Sequence, residues 1–289
     1  MSSFFRRVRL VDAGTFTSGT RPLKVGGVSM LLDGKQTIIY GAAGGIGAGV
    51  AHAYAREGAT VHLVGRTQST LEQLAKEIRA GGGDATVAVL DVLDRAAVDQ
   101  QLERVASTAG HVDVSFNLAS RGDVQGTPFV DLSVDDFLRP TINGLTGAFN
   151  TASAAARVMT QQGSGVIISL TSASSKHATP MMGGTGAADG AVEAFMRHLA
   201  AEVSPVGVRV VGIHTAGVAE TLSNRSIAEV TAGGGPTGDQ LREIISNLAL
   251  LPKGPQLADV ANTAVFLASD HAAGITASIV NVTCGISIG

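Results

Sequence analysis

The stretch that decides the fold is QTIIYGAAGGIGAGVAHAYAREGA, residues 36–59. It begins with a short run of β-branched and aromatic side chains, typical of a buried strand, and ends in residues with the apolar period of a helix. Between them lies a glycine-rich turn. Such a turn lets the backbone approach an anion closely, and the helix that follows presents free N–H groups to it. The stretch therefore predicts a βαβ unit that binds a phosphate at its first turn.

The remainder of the chain continues this alternation of strands and helices. We expect seven strands, at residues 36–41, 60–64, 85–90, 112–117, 165–170, 208–213 and 277–282. Strictly alternating elements with nearly continuous apolar strands are typical of a parallel sheet that is covered on both faces. The sequence therefore predicts a single-domain α/β fold, Rossmann-like and doubly wound, with about seven strands and helices on both faces.

Local signals mark the ends of several helices. A serine followed three residues later by an acid predicts helix starts at Ser69, as a capping box, and at Ser133. Glycines 81–83 predict the end of the first of these helices, and the second is expected to reach about Met159. A further helix is predicted over residues 182–203.

Two segments stand apart from this pattern. Residues 218–260 are polar and glycine-rich and contain no predicted strand, so we expect a mobile lid over a site at the strand ends. Residues 1–30 are a basic, irregular extension before the domain at 31–289, without the apolar run of a secretory signal. The extension could be an ordered arm, a disordered tail, or the result of a start at Met1 where Met30 is the true one.

Composition excludes several classes of protein. A formal net charge of −3 and a pI near 6.1 argue against nucleic-acid binding, because no excess of basic residues exists to displace counterions from phosphates. The single cysteine, Cys284, excludes an internal disulfide framework and a cysteine-based metal cluster, as suits a reducing compartment. No run of 18 apolar residues predicts a membrane span. We expect a cytoplasmic protein without a metal, a nucleic acid or a membrane as partner.

The glycine turn and a series of later motifs resemble the short-chain dehydrogenase/reductase family. Gly41 followed by Gly45-Ile46-Gly47 is similar to that family's TGxxxGIG turn, with Tyr40 in place of the threonine. The further matching segments are Leu90-Asp91-Val92, Asn117-Leu118-Ala119-Ser120, Asn143, Ser172 and residues 214–221. The resemblance covers residues 31–289. It implies a nicotinamide dinucleotide at the carboxyl ends of the strands and hydride transfer to or from a carbonyl carbon.

The resemblance also implies which residues surround the cofactor. They belong to the glycine turn, to the ends of the strands and to the segment after the sixth strand. These residues are Gly41, Ala43, Gly44, Gly45, Ile46, Gly47, Arg66, Asp91, Val92, Asn117, Ala119, Asp189, Gly217 and Thr221.

The end of the second strand indicates which nucleotide is bound. An acidic residue there accepts hydrogen bonds from the adenosine ribose of NAD, whereas a basic residue favours the extra phosphate of NADP. This chain has Gly65 at the acidic position and Arg66 directly after it. We therefore expect NADP(H) to be favoured over NAD(H). The alternative is that Arg66 is a solvated loop residue, since Gly44 replaces a second basic residue that some NADP-dependent relatives carry.

The proton-transferring residues of the resembled family are missing. In that family a tyrosine transfers the proton, a lysine four residues later lowers its pKa, and a serine holds the carbonyl oxygen. Ser172 and Asn143 match the serine and a supporting asparagine, but the tyrosine and lysine positions hold Thr185 and Asp189. A threonine hydroxyl is a poor proton donor at neutral pH, so the standard mechanism is absent.

No other tyrosine rescues the site. The chain contains only two tyrosines, Tyr40 at the phosphate turn and Tyr54 on the first helix. His177, with Lys176 beside it, and His214 at the end of the sixth strand are candidate replacements, because an imidazole titrates in the useful pH range. The alternative for each histidine is an ordinary polar loop or strand-end residue. The catalytic candidates are Ser172, Asn143, His177, His214 and Thr185.

Three functions remain open at this point. The first is an oxidoreductase that uses NADP(H) on a carbonyl or alcohol, with a non-standard proton donor or water. The second is a catalytically impaired dinucleotide-binding protein, and the third is a non-redox reaction on the same scaffold. Met181 and Met182 favour an apolar small-molecule substrate, or they fill a subunit contact. The resemblance implies a homo-oligomer, a tetramer or a dimer.

Overall fold

A seven-stranded parallel sheet forms the centre of the molecule. The computed structural model describes residues 30–231 and 235–288. The strands are β1 (Gln36–Tyr40), β2 (Thr60–Gly65), β3 (Asp84–Val89), β4 (Val114–Asn117), β5 (Gly165–Ser172), β6 (Val208–Thr215) and β7 (Ser278–Val282). Their order is β3-β2-β1-β4-β5-β6-β7, and every neighbouring pair is parallel. The predicted α/β fold with about seven strands is confirmed.

Helices cover both faces of the sheet. They are α1 (Gly45–Arg56), α2 (Gln68–Ala80), α3 (Arg95–Ala109), α4 (Val134–Gln162), α5 (Thr185–Val203), α6 (Asn224–Val230), α7 (Gly238–Leu248) and α8 (Leu257–Ala268). Because successive strand residues point to opposite faces, Ile39 lies in the core under α1, α2 and α8, while Ile38 and Tyr40 lie in the core under α3, α4 and α5. Both cores are apolar, as a doubly wound sheet requires.

The chain reverses its direction of winding at β1. From β1 it moves outward through β2 to β3, and then returns to place β4 on the other side of β1. The helices after β1 and β4 consequently pass to opposite faces, which leaves a crevice at the carboxyl ends of these two strands. This crevice is where the predicted site residues should meet.

One of the two predicted helix starts is confirmed and the other is wrong. Ser133 precedes α4, and its Oγ accepts a hydrogen bond of 3.1 Å from the Asp136 backbone N–H. The capping box at Ser69 does not form, because α2 begins at Gln68 after Thr67 and Ser69 already lies in the first turn. A capping serine needs an extended backbone just before the helix, and here Thr67 has that conformation.

The segment predicted as a lid is largely helical. The described parts of residues 218–260 contain a 3₁₀ turn at Ala219–Thr221, α6, α7 and the start of α8. Among these described parts, the only β-type pairing is an isolated bridge between Thr231 and Gln125. Residues 1–29 of the predicted extension lie outside the described residues. None of the described helices combines the length and the apolar character that crossing a membrane requires.

Candidate functional site

Two positions at the turn after β1, Gly41 and Gly47, require glycine. Gly41 has a φ of 72°, and a Cβ on it would lie 2.5 Å from the Leu118 carbonyl oxygen. A Cβ on Gly47 would collide with the Gly41 carbonyl oxygen. These close approaches pack the turn directly against the end of β4 and leave its outer side open.

The N-terminus of α1 has the features that an anion-binding site requires. Gly44 is its N-cap, and no side chain caps the helix. The N–H groups of the first turn have no acceptor within the helix, and they carry the positive end of the helix dipole. A Cβ on Gly45 would lie 2.7 Å from Cγ2 of Thr221, so the turn after β6 reaches over this end of the helix. The glycines therefore leave space in front of the free N–H groups of α1, and a side chain at these positions would fill it. This space and these N–H groups fit a pyrophosphate.

The ends of β2 and β3 form the other half of the predicted cofactor site. The Arg66 side chain is 71% exposed, and its Nη1 lies 4.0 Å from Oδ2 of Asp91. Asp91 accepts a hydrogen bond of 3.0 Å from the Leu93 backbone N–H, which fixes the turn after β3. Val92 packs against Gly147 of α4. The Arg66 guanidinium is therefore exposed and paired with Asp91 only at long distance, so it can reach a ligand at the surface.

A cleft of about 260 Å³ opens beside the glycine turn. It is bounded by Ile46 of α1, by the ends of β4, β5 and β6, and by residues of α4 and α5. Asn117 shapes its rim, because its Oδ1 accepts a hydrogen bond of 3.0 Å from the Ala119 N–H. The polar groups that line the cleft are those of Asn117, Arg121, Asp123, Ser169, Ser172 and Asp189, among others.

Asp189 is the centre of a buried charge cluster in this cleft. It is fully buried on α5. Its Oδ2 accepts a hydrogen bond of 2.5 Å from the Ser172 hydroxyl, and its Oδ1 forms an ion pair of 2.5 Å with Nη1 of Arg121. Burial alone would lower the pKa of Arg121, but its bonds to Asp189 and Asp123 outweigh this and raise it above its ordinary value. Arg121 therefore remains charged.

Asp123 and Thr185 extend the cluster. Nε of Arg121 lies 3.1 Å from Oδ2 of Asp123, and the Thr185 hydroxyl donates a hydrogen bond of 2.8 Å to Oδ1 of Asp123. Gln125 donates a bond of 3.2 Å to the same hydroxyl. Asn143 of α4 holds the loop from the other side, since its Nδ2 donates to the Arg121 carbonyl oxygen at 3.2 Å.

The two histidine candidates lie outside the cleft. His214 is buried on β6, where its Nδ1 lies 3.5 Å from Oε1 of Glu193, and its Nε2 has no hydrogen-bond partner among the described residues. Burial raises the pKa of Glu193, but the bonds from His214, Ser175 and Thr171 outweigh it and lower this pKa to about 2. His177 is exposed on the loop after β5.

Both tyrosines are buried away from the cleft. Tyr40 lies under α3 and α4, and Tyr54 lies on α1, where its hydroxyl donates to the Ala264 carbonyl oxygen at 3.2 Å. Burial raises the pKa of each tyrosine, and the charge of Asp99 adds to the effect at Tyr40. Neither phenol is placed to exchange a proton with a ligand in the cleft.

The structure thus brings part of the predicted set together. Ile46, Asn117, Ala119, Ser172 and Asp189 line the cleft, while Gly217 packs against Ile245 of α7. Sequence reasoning missed first the pair of Arg121 and Asp123, and also Ser169, which lines the cleft, and Glu193, which pairs with His214. A signal existed for the first group, because an arginine and an aspartate directly follow NLAS in an otherwise uncharged stretch.

Comparison with known proteins places the chain in a family. Residues 41–287 match the family model described as enoyl-(acyl carrier protein) reductase. D-threitol dehydrogenase of Mycolicibacterium smegmatis is 32% identical over 261 residues, which cover 89% of this chain and 94% of that protein.

Solved structures agree with the sequence matches. NAD⁺-bound xylitol dehydrogenase superposes with a TM-score of 0.78 at 25% identity, covering 88% of this chain and 99% of that one. Gluconate 5-dehydrogenase from Burkholderia cenocepacia, in complex with NADP and tartrate, has a TM-score of 0.76 at 26% identity, covering 89% and 97%. With its parallel seven-stranded sheet and its glycine turn, the chain belongs to the short-chain dehydrogenase/reductase superfamily of oxidoreductases.

Proposed function

We propose that the protein is an NADP(H)-dependent oxidoreductase of small carbonyl or alcohol compounds, and that Ser172 and Asp189 carry the proton that a tyrosine carries in the family. The observation that supports this most directly is the 2.5 Å hydrogen bond from Ser172 to the buried Asp189 carboxylate. It lies on the wall of the cleft that adjoins the glycine turn.

The described residues fit a dinucleotide. The amides at the start of α1 would bind the pyrophosphate, Asp91 and Val92 would lie against the adenine, and Asn117 and Ala119 would line the path toward the cleft. A bound nicotinamide supplies or accepts the hydride. Arg66, without an acidic residue at Gly65, would bind the 2′-phosphate of NADP(H).

Ser172 and Asp189 would move the proton. In alcohol oxidation, the substrate hydroxyl donates its proton to Oγ of Ser172 while the serine proton passes to Oδ2 of Asp189. Arg121 holds Asp189 in place through its 2.5 Å ion pair. Reduction of a carbonyl follows the same path in reverse, with the proton returning through Ser172.

The test combines nucleotide binding with turnover. Calorimetry should show that NADPH binds more tightly than NADH, and a panel of ketones, secondary alcohols and polyols should reveal a substrate. Ser172→Ala should retain NADPH binding and lower kcat by about 100-fold, the usual contribution of a positioned proton carrier. Ser107→Ala, which changes an exposed serine of α3, is the matched control. Failure to bind either nucleotide would overturn the proposal.

A second candidate is a dinucleotide-binding protein without turnover. It is favoured by the full burial of Asp189, whose two oxygens already accept bonds from Arg121 and Ser172. In that case NADPH binds, no substrate of the panel is converted, and Ser172→Ala changes stability alone.

We further propose an apolar small-molecule substrate and a homo-oligomer in the cytoplasm. Apolar side chains make up much of the cleft wall, including Leu118, Leu170 and Val192. An apolar strip along α4, formed by Val134 and Ile142 at 70% and 58% exposure, supports burial against a second copy.

A further inference from the structure

The cleft contains more negative than positive charge. Arg121 lies between Asp123 and Asp189, and these three residues supply every charged side chain among the described residues that line the cleft. Arg121 compensates one carboxylate, so an excess of one negative charge remains. The side chains of Asp123 and Arg121 are only 19% and 16% exposed, so water screens this charge weakly.

Other titratable groups do not remove the excess. Glu193 of α5 and His214 of β6 form their own buried pair, and Lys176 is exposed on the loop after β5. An anionic substrate would therefore meet uncompensated repulsion in the cleft, whereas a cation would be attracted.

Ser169 provides an independent observation at the same place. Its side chain lines the cleft, the residue is 4% exposed, and its Oγ has no hydrogen-bond partner among the described residues. Buried hydroxyl groups are nearly always hydrogen-bonded in folded proteins. A hydroxyl oxygen can turn its lone pairs toward a positively charged ligand, so Ser169 indicates that a polar or cationic group completes this site.

The missing phenol points to a particular reaction. Reduction of a carbonyl needs both a hydride and a proton, and neither tyrosine is placed to supply that proton. Reduction of an iminium ion needs only the hydride, because the C=N π electrons move onto the positively charged nitrogen and leave a neutral amine. The site therefore suits this reaction, because its excess negative charge faces the cation and no proton has to be delivered in the step.

We propose that the cleft binds a small apolar cation, an iminium ion or the amine formed from it, and that Asp123 and Asp189 hold its positive charge. The inference relies on the proposed function for its hydride donor, NADPH, which is oxidised to NADP⁺ while the carbon of the C=N bond is reduced. One C–H bond of NADPH would break, one C–H bond would form on the iminium carbon, the C=N π electrons would become the nitrogen lone pair, and no proton would be consumed.

The test uses two permanently charged probes and a neutral one. N-methylpyrrolinium is a cyclic iminium ion, N,N-dimethylpyrrolidinium is an unreactive ammonium ion, and cyclopentanone is a neutral carbonyl with a ring of the same size. We expect N-methylpyrrolinium to be reduced faster than cyclopentanone, and calorimetry to detect binding of the unreactive N,N-dimethylpyrrolidinium to the NADPH-loaded protein.

Matched variants assign the effect to the cleft. Asp123→Asn should weaken binding of the ammonium ion by about tenfold, because it removes one charge at short range. Ser169→Ala should weaken it by about threefold, as expected for one hydrogen-bonding group. Asp131→Asn removes the same charge from an exposed position on the same loop and should change nothing.

The outcomes separate this inference from the proposed function. If NADPH binds and cyclopentanone is reduced while the ammonium ion does not bind, the cation site is wrong and the oxidoreductase remains. If NADPH does not bind but the ammonium ion does, with the expected loss in Asp123→Asn, the cation site is correct and the oxidoreductase is wrong. Equal binding of the ammonium ion by Asp123→Asn and Asp131→Asn would overturn the assignment to this cleft.

Discussion

Arg121 is held by three side chains from three different elements. Asp189 of α5 and Asp123 of its own loop bind its guanidinium, and Asn143 of α4 binds its carbonyl oxygen. A buried arginine is strongly destabilising when one of its carboxylate partners is removed, whereas a fully paired arginine is tolerated. The stability of this part of the protein therefore depends on single carboxylates.

Asp189→Asn tests this dependence. We expect it to lower the free energy of unfolding by about 3 kcal/mol, because Arg121 would retain a buried charge with only Asp123 to oppose it. Urea unfolding of the purified protein measures the change. Asp131→Asn, an exposed substitution of the same kind, should have little effect. Equal effects of the two substitutions would show that the ion pair contributes nothing.

Nucleotide preference also belongs to the residue scale. Arg66→Ala should weaken NADPH binding by about 30-fold and leave NADH binding nearly unchanged, because one charge-assisted contact to the 2′-phosphate is lost. Gly65→Asp should reverse the preference, since the new carboxylate repels that phosphate and accepts bonds from the NADH ribose. A Cβ at Gly65 would meet Leu71 at 3.4 Å, so the side chain fits. Calorimetric titration of both nucleotides into each variant measures the ratio of NADPH affinity to NADH affinity. An unchanged ratio in Arg66→Ala would show that Arg66 does not contact the nucleotide.

At the scale of elements, α4 and α5 position the cleft through their ends and inner faces. The start of α4 is fixed by Ser133, and α5 presents Thr185, Asp189 and Glu193 at intervals of four residues along one face. Residues four apart lie on the same side of a helix, which is why one helix contributes to both buried networks. The ends and faces of these helices therefore set the site geometry.

The two predicted serine caps form a matched pair. Ser133→Ala should lower the free energy of unfolding by about 1 kcal/mol, because the Asp136 N–H loses its acceptor. Ser69→Ala should change it by less than about 0.5 kcal/mol, since Ser69 is exposed within the first turn of α2 and caps nothing. Thermal or urea unfolding of both variants measures these free energies. A larger loss of stability in Ser69→Ala than in Ser133→Ala would contradict the structure.

The Glu193 network predicts a dependence of stability on pH. The pKa of Glu193 falls from its ordinary value of 4.5 to about 2 in the folded protein. A lowered folded pKa gives stability that is present above pH 4.5 and is lost as the pH falls from 4.5 toward 2. The shift corresponds to about 3 kcal/mol.

Glu193→Gln should therefore flatten the pH profile of stability in that window. Unfolding free energies measured at several pH values for both proteins provide the test, with Glu202→Gln, an exposed glutamate of the same helix, as the control. Parallel profiles for the parent protein and Glu193→Gln would show that the network does not lower this pKa.

At the scale of the whole molecule, backbone hydrogen bonds join the loop that carries Arg121 to two other segments. The loop after β4 is joined to α6 through the Gln125 N–H, which donates to the Val230 carbonyl oxygen at 2.7 Å, and to the loop before α5 through the Gly126 N–H, which donates to the Met181 carbonyl oxygen at 2.8 Å. The segment predicted as a lid is thus tied to the same loop that carries Arg121.

The outer face of α4 predicts the assembly state. Ile142→Glu should convert the proposed homo-oligomer into smaller species, because it would bury a charge in an apolar contact. Light scattering after size-exclusion chromatography measures the mass, and Val206→Glu, at 49% exposure in the turn after α5, controls for surface charge. A monomeric parent protein would contradict the predicted contact.

The strands could be predicted closely because each depends on its own residues. β5 and β6 extend two residues beyond their predicted ends, to Ser172 and Thr215, and β4 starts two residues later than expected. The capping box at Ser69 was wrong because a four-residue motif does not fix where the preceding turn ends. That turn ends at Thr67, and the helix therefore starts before Ser69. Arg121 was missed because its partner Asp189 lies 68 residues away.

The sequence by itself determined the parallel sheet and the glycine turn of β1, since strand period, helix period and the need for glycine are all expressed within short windows of the chain. Only the tertiary structure decided that Asp189 is enclosed by Ser172 and Arg121, and that His214 turns to Glu193 beneath the cleft. The physical reason is that buried charge must find its compensation in space, and the compensating side chains come from elements that are distant in the chain.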